Sequence, residues 1–394
     1  MRKITLGTLN ISQKGKDYVN DALDNNRLSR GKYTEKFEQD FAALHGSKHG
    51  IFMNSGTSAL QVALAALKEV HGYQDGDEVL VPATTFIATS NIVLQNGLKP
   101  VFVDIYPHTF NMSISGIEAA VTPKTRCIIP VHLFGLPADM YWIMKAAKRH
   151  GLQVIEDSCE TMFAECDGQR VGSFGDLACF STYVAHLIVG GVGGMITAEN
   201  DALAEVCRSL MAHGRNTIYT SIDDDDNVSG NRLRDIMERR YSFERVGYSY
   251  RATELEAAIA LSELGRWEEN IQTRRKNAAF LSTLLEPLQK YLQLPFIPQG
   301  MTHSFMMYPM VAADGVDRDD LLMYLETRGI ETRYMFPLLS QPVYQKLFPG
   351  LDKEYPVAQR LAKQGFFIGA HQGLTSEDMV YIANTFVDYF KEHK

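Results

Sequence analysis

His186 lies in the run Cys179-Phe-Ser-Thr-Tyr-Val-Ala-His-Leu-Ile-Val-Gly-Gly-Val-Gly-Gly194. An imidazole can take up and release protons near neutral pH, but it cannot form a stable imine. No lysine stands nearby to do so, because the chain has none between Lys148 and Lys276. Two carboxylates, Asp157 and Glu160, close the run Val154-Ile-Glu-Asp-Ser-Cys-Glu160. A third group, Asn54-Ser-Gly-Thr-Ser-Ala-Leu60, follows an apolar run and precedes a helical pattern, so its small residues can aim backbone N–H groups at a phosphate. Each feature also has a structural reading. His186 would be a buried histidine on an apolar strand, Asp157 the cap of the next helix, and Asn54–Leu60 an ordinary helix start.

The elements that must position these groups alternate in type. Glu78-Val-Leu-Val-Pro82, Pro100-Val-Phe-Val-Asp104, Cys127-Ile-Ile-Pro-Val-His132 and Gln153-Val-Ile-Glu-Asp157 read as buried parallel strands, being apolar on both faces. Between strands, Ala59 to Lys68 and Met140 to His150 place apolar residues three and four apart, as helices do. The pattern predicts an α/β fold with a mostly parallel sheet flanked by helices, and ligands in such sheets bind beyond the carboxyl ends of the strands. Asp157 sits at such an end. A long helical pattern follows from Ala252 to about Leu285, and strands and helices then alternate again. The expected division is a large domain over 1–255 and a smaller α/β domain over 256–394. The acidic run Ser221-Ile-Asp-Asp-Asp-Asp-Asn227 reads as a solvated loop, its adjacent carboxylates lacking the spacing and glycine of a calcium loop.

Composition sets the class. With 394 residues, 45% hydrophobic and 22% charged, the chain is long enough for two globular domains. A net charge of −8 argues against a nucleic-acid partner. No apolar run is long enough to span a membrane, and no secretory apolar core follows Met1-Arg-Lys, so the expected location is the cytoplasm. Cys127, Cys159, Cys166, Cys179 and Cys207 are scattered, as reduced thiols are.

Taken in order, Asn54–Leu60, Val81-Pro-Ala-Thr-Thr-Phe-Ile-Ala-Thr89, Val154–Glu160, Gly172-Ser-Phe-Gly-Asp-Leu-Ala-Cys-Phe-Ser181, Val246-Gly-Tyr-Ser-Tyr-Arg-Ala-Thr-Glu-Leu-Glu-Ala-Ala258, Gly329-Ile-Glu-Thr-Arg-Tyr334 and Phe367-Ile-Gly-Ala-His-Gln-Gly-Leu374 resemble the sugar aminotransferases of the DegT/DnrJ/EryC1/StrS family. These are vitamin B6 enzymes of fold type I, and the resemblance runs from about residue 5 to 390. It implies that Gly56, Thr57 and Ser181 hold the cofactor phosphate, that Phe86 stacks on the pyridine ring, and that Asp157 keeps the ring nitrogen protonated. Glu160, also implied as a cofactor-binding residue, takes a place often held by Gln or Asp. Ser249, implied as a contact to the cofactor phosphate, stands where Asn is usual, in a segment that reaches into the partner's active site, so a homodimer with shared sites is implied. Arg333 becomes a substrate or glutamate contact, and Gly190, Gly191, Gly193 and Gly194 form a tight turn after the anchor strand.

The resemblance also gives His186 its meaning, because most members carry a lysine there that bonds the cofactor covalently. It points to the branch with histidine in that place, like GDP-4-keto-6-deoxymannose 3-dehydratase. Pyridoxamine or pyridoxal phosphate would then be held non-covalently and glutamate would restore the amine. Some histidine-bearing dehydrases also bind an iron–sulfur cluster through cysteines, and the scattered cysteines predict none here. Three activities stay open: C3 dehydration of a nucleotide-linked 4-keto-6-deoxy sugar, transamination to an amino sugar, and silent binding of cofactor or sugar. Val192 departs from the polar or acidic residue usual in the glycine turn of the dehydratases.

Overall fold

The structure is a computed structural model that describes residues 2–216 and 227–393. Of the acidic run Ser221–Asn227, all but Asn227 lies outside the described residues.

The large sheet is built from β1 His49–Met53, β2 Glu78–Pro82, β3 Lys99–Val103, β4 Thr125–Ile128 and β5 Gln153–Asp157. A short ribbon follows (β6 Glu165–Cys166, β7 Gln169–Arg170), and then β8 Leu177–Ser181 and β9 Gly194–Ala198 complete the sheet. Its order is β1-β9-β8-β5-β4-β2-β3. Pairs among β2, β3, β4, β5 and β8 are parallel, while β9 runs antiparallel to both β1 and β8. Every residue of β2, β8 and β9 is buried, as in a sheet covered on both faces, which explains why Glu78–Pro82 reads as an apolar run. The four expected strands are present, but β4 stops at Ile128 rather than running to His132, since Pro130 has no N–H for the ladder.

Helix Gly56–His71 contains the expected Ala59–Lys68 segment. Ser55 caps its start, accepting the Ser58 N–H at 3.0 Å, and Gly72 ends it in the left-handed region at φ 67°. Helix Met140–His150 matches its expected span. The pattern from Ala252 to Leu285 resolves into two helices, Glu254–Leu264 and Trp267–Leu285, broken at Gly265-Arg266 where glycine withdraws helical stability.

A second sheet of β10 Leu292–Gln293, β11 Tyr308–Ala312, β12 Thr332–Tyr334 and β13 Gly365–Ile368 is antiparallel, in the order β10-β11-β13-β12. Its core gathers Leu281, Tyr308, Phe366 and Phe386. Ile4, from the other end of the chain, joins this core and bridges Ile330.

Candidate active site

Strands β5 and β8 run parallel, β5 ending at Asp157 opposite Cys179 and β8 running two residues further to Ser181. Above these ends lies a cavity of about 390 Å³, closed on its far side by Met306, Met307, Phe336 and Phe367. Gly56, Thr57, Phe86, Asp157, Glu160, Ser181, His186 and Arg333 all line it.

The phosphate corner is the start of helix Gly56–His71, whose positive end faces the cavity. Close packing accounts for the glycines. A Cβ on Gly56 would lie 2.8 Å from Cys159 Sγ and Ser181 Cβ, and one on Gly194 would lie 2.3 Å from the Ser55 carbonyl carbon. Bare backbone lets β9 press against the helix start. Of the four glycines in the turn, Gly191 and Gly193 need positive φ, at 96° and 135°. Thr57 stands exposed in the first turn, and Ser181 Oγ accepts the Tyr183 N–H at 3.3 Å, which leaves its hydroxyl proton to donate.

Asp157 is 4% exposed. Its Oδ2 accepts from Thr89 Oγ1 at 2.7 Å and its Oδ1 from Cys159 N at 3.2 Å, both neutral donors. Burial raises its pKa against the opposing pull of these bonds. A buried carboxylate facing a cavity with neutral partners is suited to a cationic N–H such as a pyridinium. Glu160 is buried beside it, its Oε2 accepting the Phe134 N–H at 2.9 Å, and burial pushes its pKa up to about 8.

His186 is not on a strand. It sits in the turn between β8 and β9, its N–H bonded to Tyr183 O at 2.9 Å. Its Nδ1 lies 3.3 Å from Ser181 O. Burial draws the pKa down to about 4; the carbonyl contact opposes this and the charge of Arg274 reinforces it. The ring is neutral near pH 7, a base rather than an acid.

Phe86 is 56% exposed and meets Phe336 edge to face at 6.2 Å, so a broad aromatic face is open for stacking. Arg333 on β12 is the one lysine or arginine among the described residues that line the cavity. Ser249 is set apart from the others: it bridges Ala212 outside this cavity, and its Oγ accepts weakly from Arg251 at 3.5 Å. Thr89, Leu6, Tyr183 and the four residues of the far wall were not among the expected site residues. Thr85 and Thr89 do sit four apart within the Val81–Thr89 run and bond each other at 2.8 Å. Their spacing was the available signal, and it carried no hint of Asp157, 68 residues on.

Helix-terminal donors, an exposed aromatic face and a buried carboxylate together fit a phosphorylated pyridine. A family model described as the DegT/DnrJ/EryC1/StrS aminotransferase family matches residues 10–387. The chain belongs to this family. It is therefore a fold type I enzyme of the pyridoxal-phosphate-dependent sugar aminotransferase and dehydratase class. GDP-perosamine synthase of Caulobacter vibrioides is 35% identical over 381 residues, 96% of this chain and 95% of that protein. A mutant of GDP-4-keto-6-deoxymannose-3-dehydratase, crystallised with GDP-perosamine, superposes with a TM-score of 0.87 at 27% identity, covering 97% of this chain and 100% of the other. The Escherichia coli GDP-4-keto-6-deoxy-D-mannose-3-dehydratase with bound hydrated PLP gives a TM-score of 0.85 at 26% identity, covering 98% and 99%. This family member thus resembles both aminating and dehydrating enzymes.

Proposed function

We propose that this family member is a 3-dehydratase of a nucleotide-linked 4-keto-6-deoxy sugar, with His186 as the acid–base group. The observation that carries the reading is that the cavity presents a neutral imidazole, and no lysine among its described lining residues, where the family's covalent anchor usually stands. The cofactor, held non-covalently in its amine form, would supply an amine for the sugar ketone and a ring that accepts an electron pair.

The chain's own residues do the rest. Gly56, Thr57 and Ser181 bind the phosphate, and Phe86 covers one ring face and keeps water from it. Asp157 holds a proton on the ring nitrogen, which keeps the ring electron-poor. His186 Nε2 takes the proton released beside the amine and returns one as the C3 hydroxyl departs as water. Water would then release the nitrogen from the sugar as ammonia and restore the ketone, and glutamate would restore the cofactor's amine. The GDP in the names of the relative and the structural neighbours supports a GDP-linked sugar.

A second reading, transamination to an amino sugar, is favoured by the 35% identity to a GDP-perosamine synthase. It requires His186 to shuttle protons both ways. In either case we take the working unit as a homodimer. Ser249 lies off its own chain's cavity and the neighbouring Val246 is 98% exposed, as a segment that enters a partner's site would be. The division expected at 255/256 falls inside helix Glu254–Leu264, so we move the proposed boundary to the break at Gly265-Arg266, and we retain a cytoplasmic location. No helix among the described residues is long and apolar enough to cross a membrane.

The test is to incubate the protein with pyridoxal phosphate, glutamate and a panel of nucleotide-linked 4-keto-6-deoxy sugars, reading products by mass spectrometry and free ammonia by assay. Dehydration gives a product one oxygen poorer and releases ammonia. A nitrogen-bearing product without ammonia would refute the dehydratase reading.

A further inference from the structure

The N-terminal segment runs beside β12 as a parallel strand for one step. Ile4 N–H donates to Gly329 O at 2.8 Å, and Glu331 N–H donates to Ile4 O at 2.9 Å. In a continuing parallel ladder, Leu6 N–H would next bond the main-chain carbonyl of Glu331. It donates instead to the side-chain Oε2 of Glu331, at 3.1 Å. The other oxygen, Oε1, accepts from Arg333 Nη2 at 2.6 Å. Residues two apart on a strand share a face, which brings Glu331 and Arg333 together. One carboxylate therefore ties the N-terminal segment to the guanidinium that lines the cavity.

Beyond this point the segment turns from β12 toward the site. Thr5 O accepts from His371 Nε2 at 3.0 Å. The Leu6 side chain, 9% exposed, forms part of the cavity wall. Gly7 lies against the His186 turn, so close that a Cβ there would be 3.2 Å from Ala185 Cα. Arg333 is further held by Nη1 donating to Thr332 O at 2.6 Å. A guanidinium has five N–H groups, and these contacts leave donors free for a ligand. The ion pair is 54% exposed on Arg333 and 30% on Glu331, so it adds little to stability and its use is geometric.

We propose that Glu331 is a positioning residue that holds Arg333 and Leu6 as one wall of the cavity, setting Arg333 to receive an anionic group of a reactant, a carboxylate or a phosphate. This rests on reading the cavity as the reacting site.

Calorimetric titration of the protein loaded with pyridoxamine phosphate, on which glutamate can bind but not react, with glutamate and separately with GDP tests it. Glu331→Gln keeps the size and an acceptor for Leu6 N–H but removes the charge that orients Arg333. One of the two dissociation constants should rise about tenfold, the loss expected for one charge-assisted contact, and Glu331→Asp should recover part of it. A rise for glutamate identifies a carboxylate, and a rise for GDP a phosphate. Arg333→Gln should show the same rise, and Glu331→Gln should add nothing on that background. Additive losses, or unchanged constants in a variant of lower Tm, would overturn the proposal, as would a wild-type protein that binds neither ligand. Since binding is read without turnover, a protein that fails to dehydrate any sugar sinks the proposed reaction while leaving this result standing.

Discussion

His186 Nδ1 lies 3.3 Å from the carbonyl oxygen of Ser181, the last residue of β8. A carbonyl can only accept, so this contact puts the proton on Nδ1 and the lone pair on Nε2. The residue expected to grip the cofactor phosphate through its hydroxyl thus also orients the base through its main chain.

Replacing that base separates chemistry from binding. His186→Asn should lower kcat by roughly 10²–10⁴-fold, the usual worth of a positioned acid–base group, with cofactor affinity held within a few-fold. His186→Lys should gain a borohydride-fixable bond to the cofactor, seen as added mass on the intact protein. Equal loss of cofactor binding in His186→Asn would make the residue structural.

The pH profile of stability follows from the buried groups. Glu160 titrates near 8 in the fold, above its unfolded value, so its contribution is full at low pH and is lost as pH rises through 8. Glu160→Gln removes that loss, and its Tm relative to wild type should be higher at pH 9 than at pH 6. His45, His186 and His371 are drawn down to about 4 and His303 to about 3. The unfolded chain therefore binds more protons below about pH 6.5. Tm should fall as pH drops from 6.5 to 4, and a flat profile there would contradict the burial of these rings.

Asp157→Asn should cost on the order of 10²–10³ in kcat, as removal of one preorganised electrostatic partner does. Thr89→Val takes away the 2.7 Å hydroxyl bond to Asp157 and should give a smaller loss in the same direction. Steady-state kinetics on the two variants checks the order, and a larger loss in Thr89→Val would contradict it.

Phe86 is 56% exposed, so Phe86→Ala should leave Tm within about 1 °C, surface truncations being nearly neutral. Cofactor affinity should weaken roughly 3- to 10-fold, the worth of a stacking face. Fluorescence titration with pyridoxal phosphate measures it.

Gly194→Ala sets a Cβ 2.3 Å from the Ser55 carbonyl carbon, where backbone rather than side chain must yield. The cost should exceed the ~1–3 kcal/mol of ordinary overpacking. Thermal melts should show a marked fall in Tm, and fluorescence titration with pyridoxal phosphate a weakened affinity.

Much of the frame was legible because it is local. Glu78–Pro82 and Gln153–Asp157 are found with the expected bounds, since strands buried on both faces must be apolar throughout. The turn holding His186 was harder to read: Leu187, Ile188 and Val189 are apolar because they are buried beneath it, and apolarity alone cannot tell a buried turn from a strand. The break at Gly265 was hidden in the same way, inside a helical pattern long enough to absorb one glycine.

By itself the sequence determined the alternation of strands and helices, a helix start within Asn54–Leu60 and the glycine turn, since each follows from neighbours along the chain, while the resemblance to the family marked His186 as standing where a lysine would bond the cofactor. Tertiary structure alone decided that Thr89 holds Asp157, that Leu6 and Met306 share one cavity, and that Glu331 clamps Arg333 to the N-terminal segment. Those contacts join elements far apart in sequence, and only the packing of separate strands, helices and the N-terminal segment against one another brings them within bonding distance.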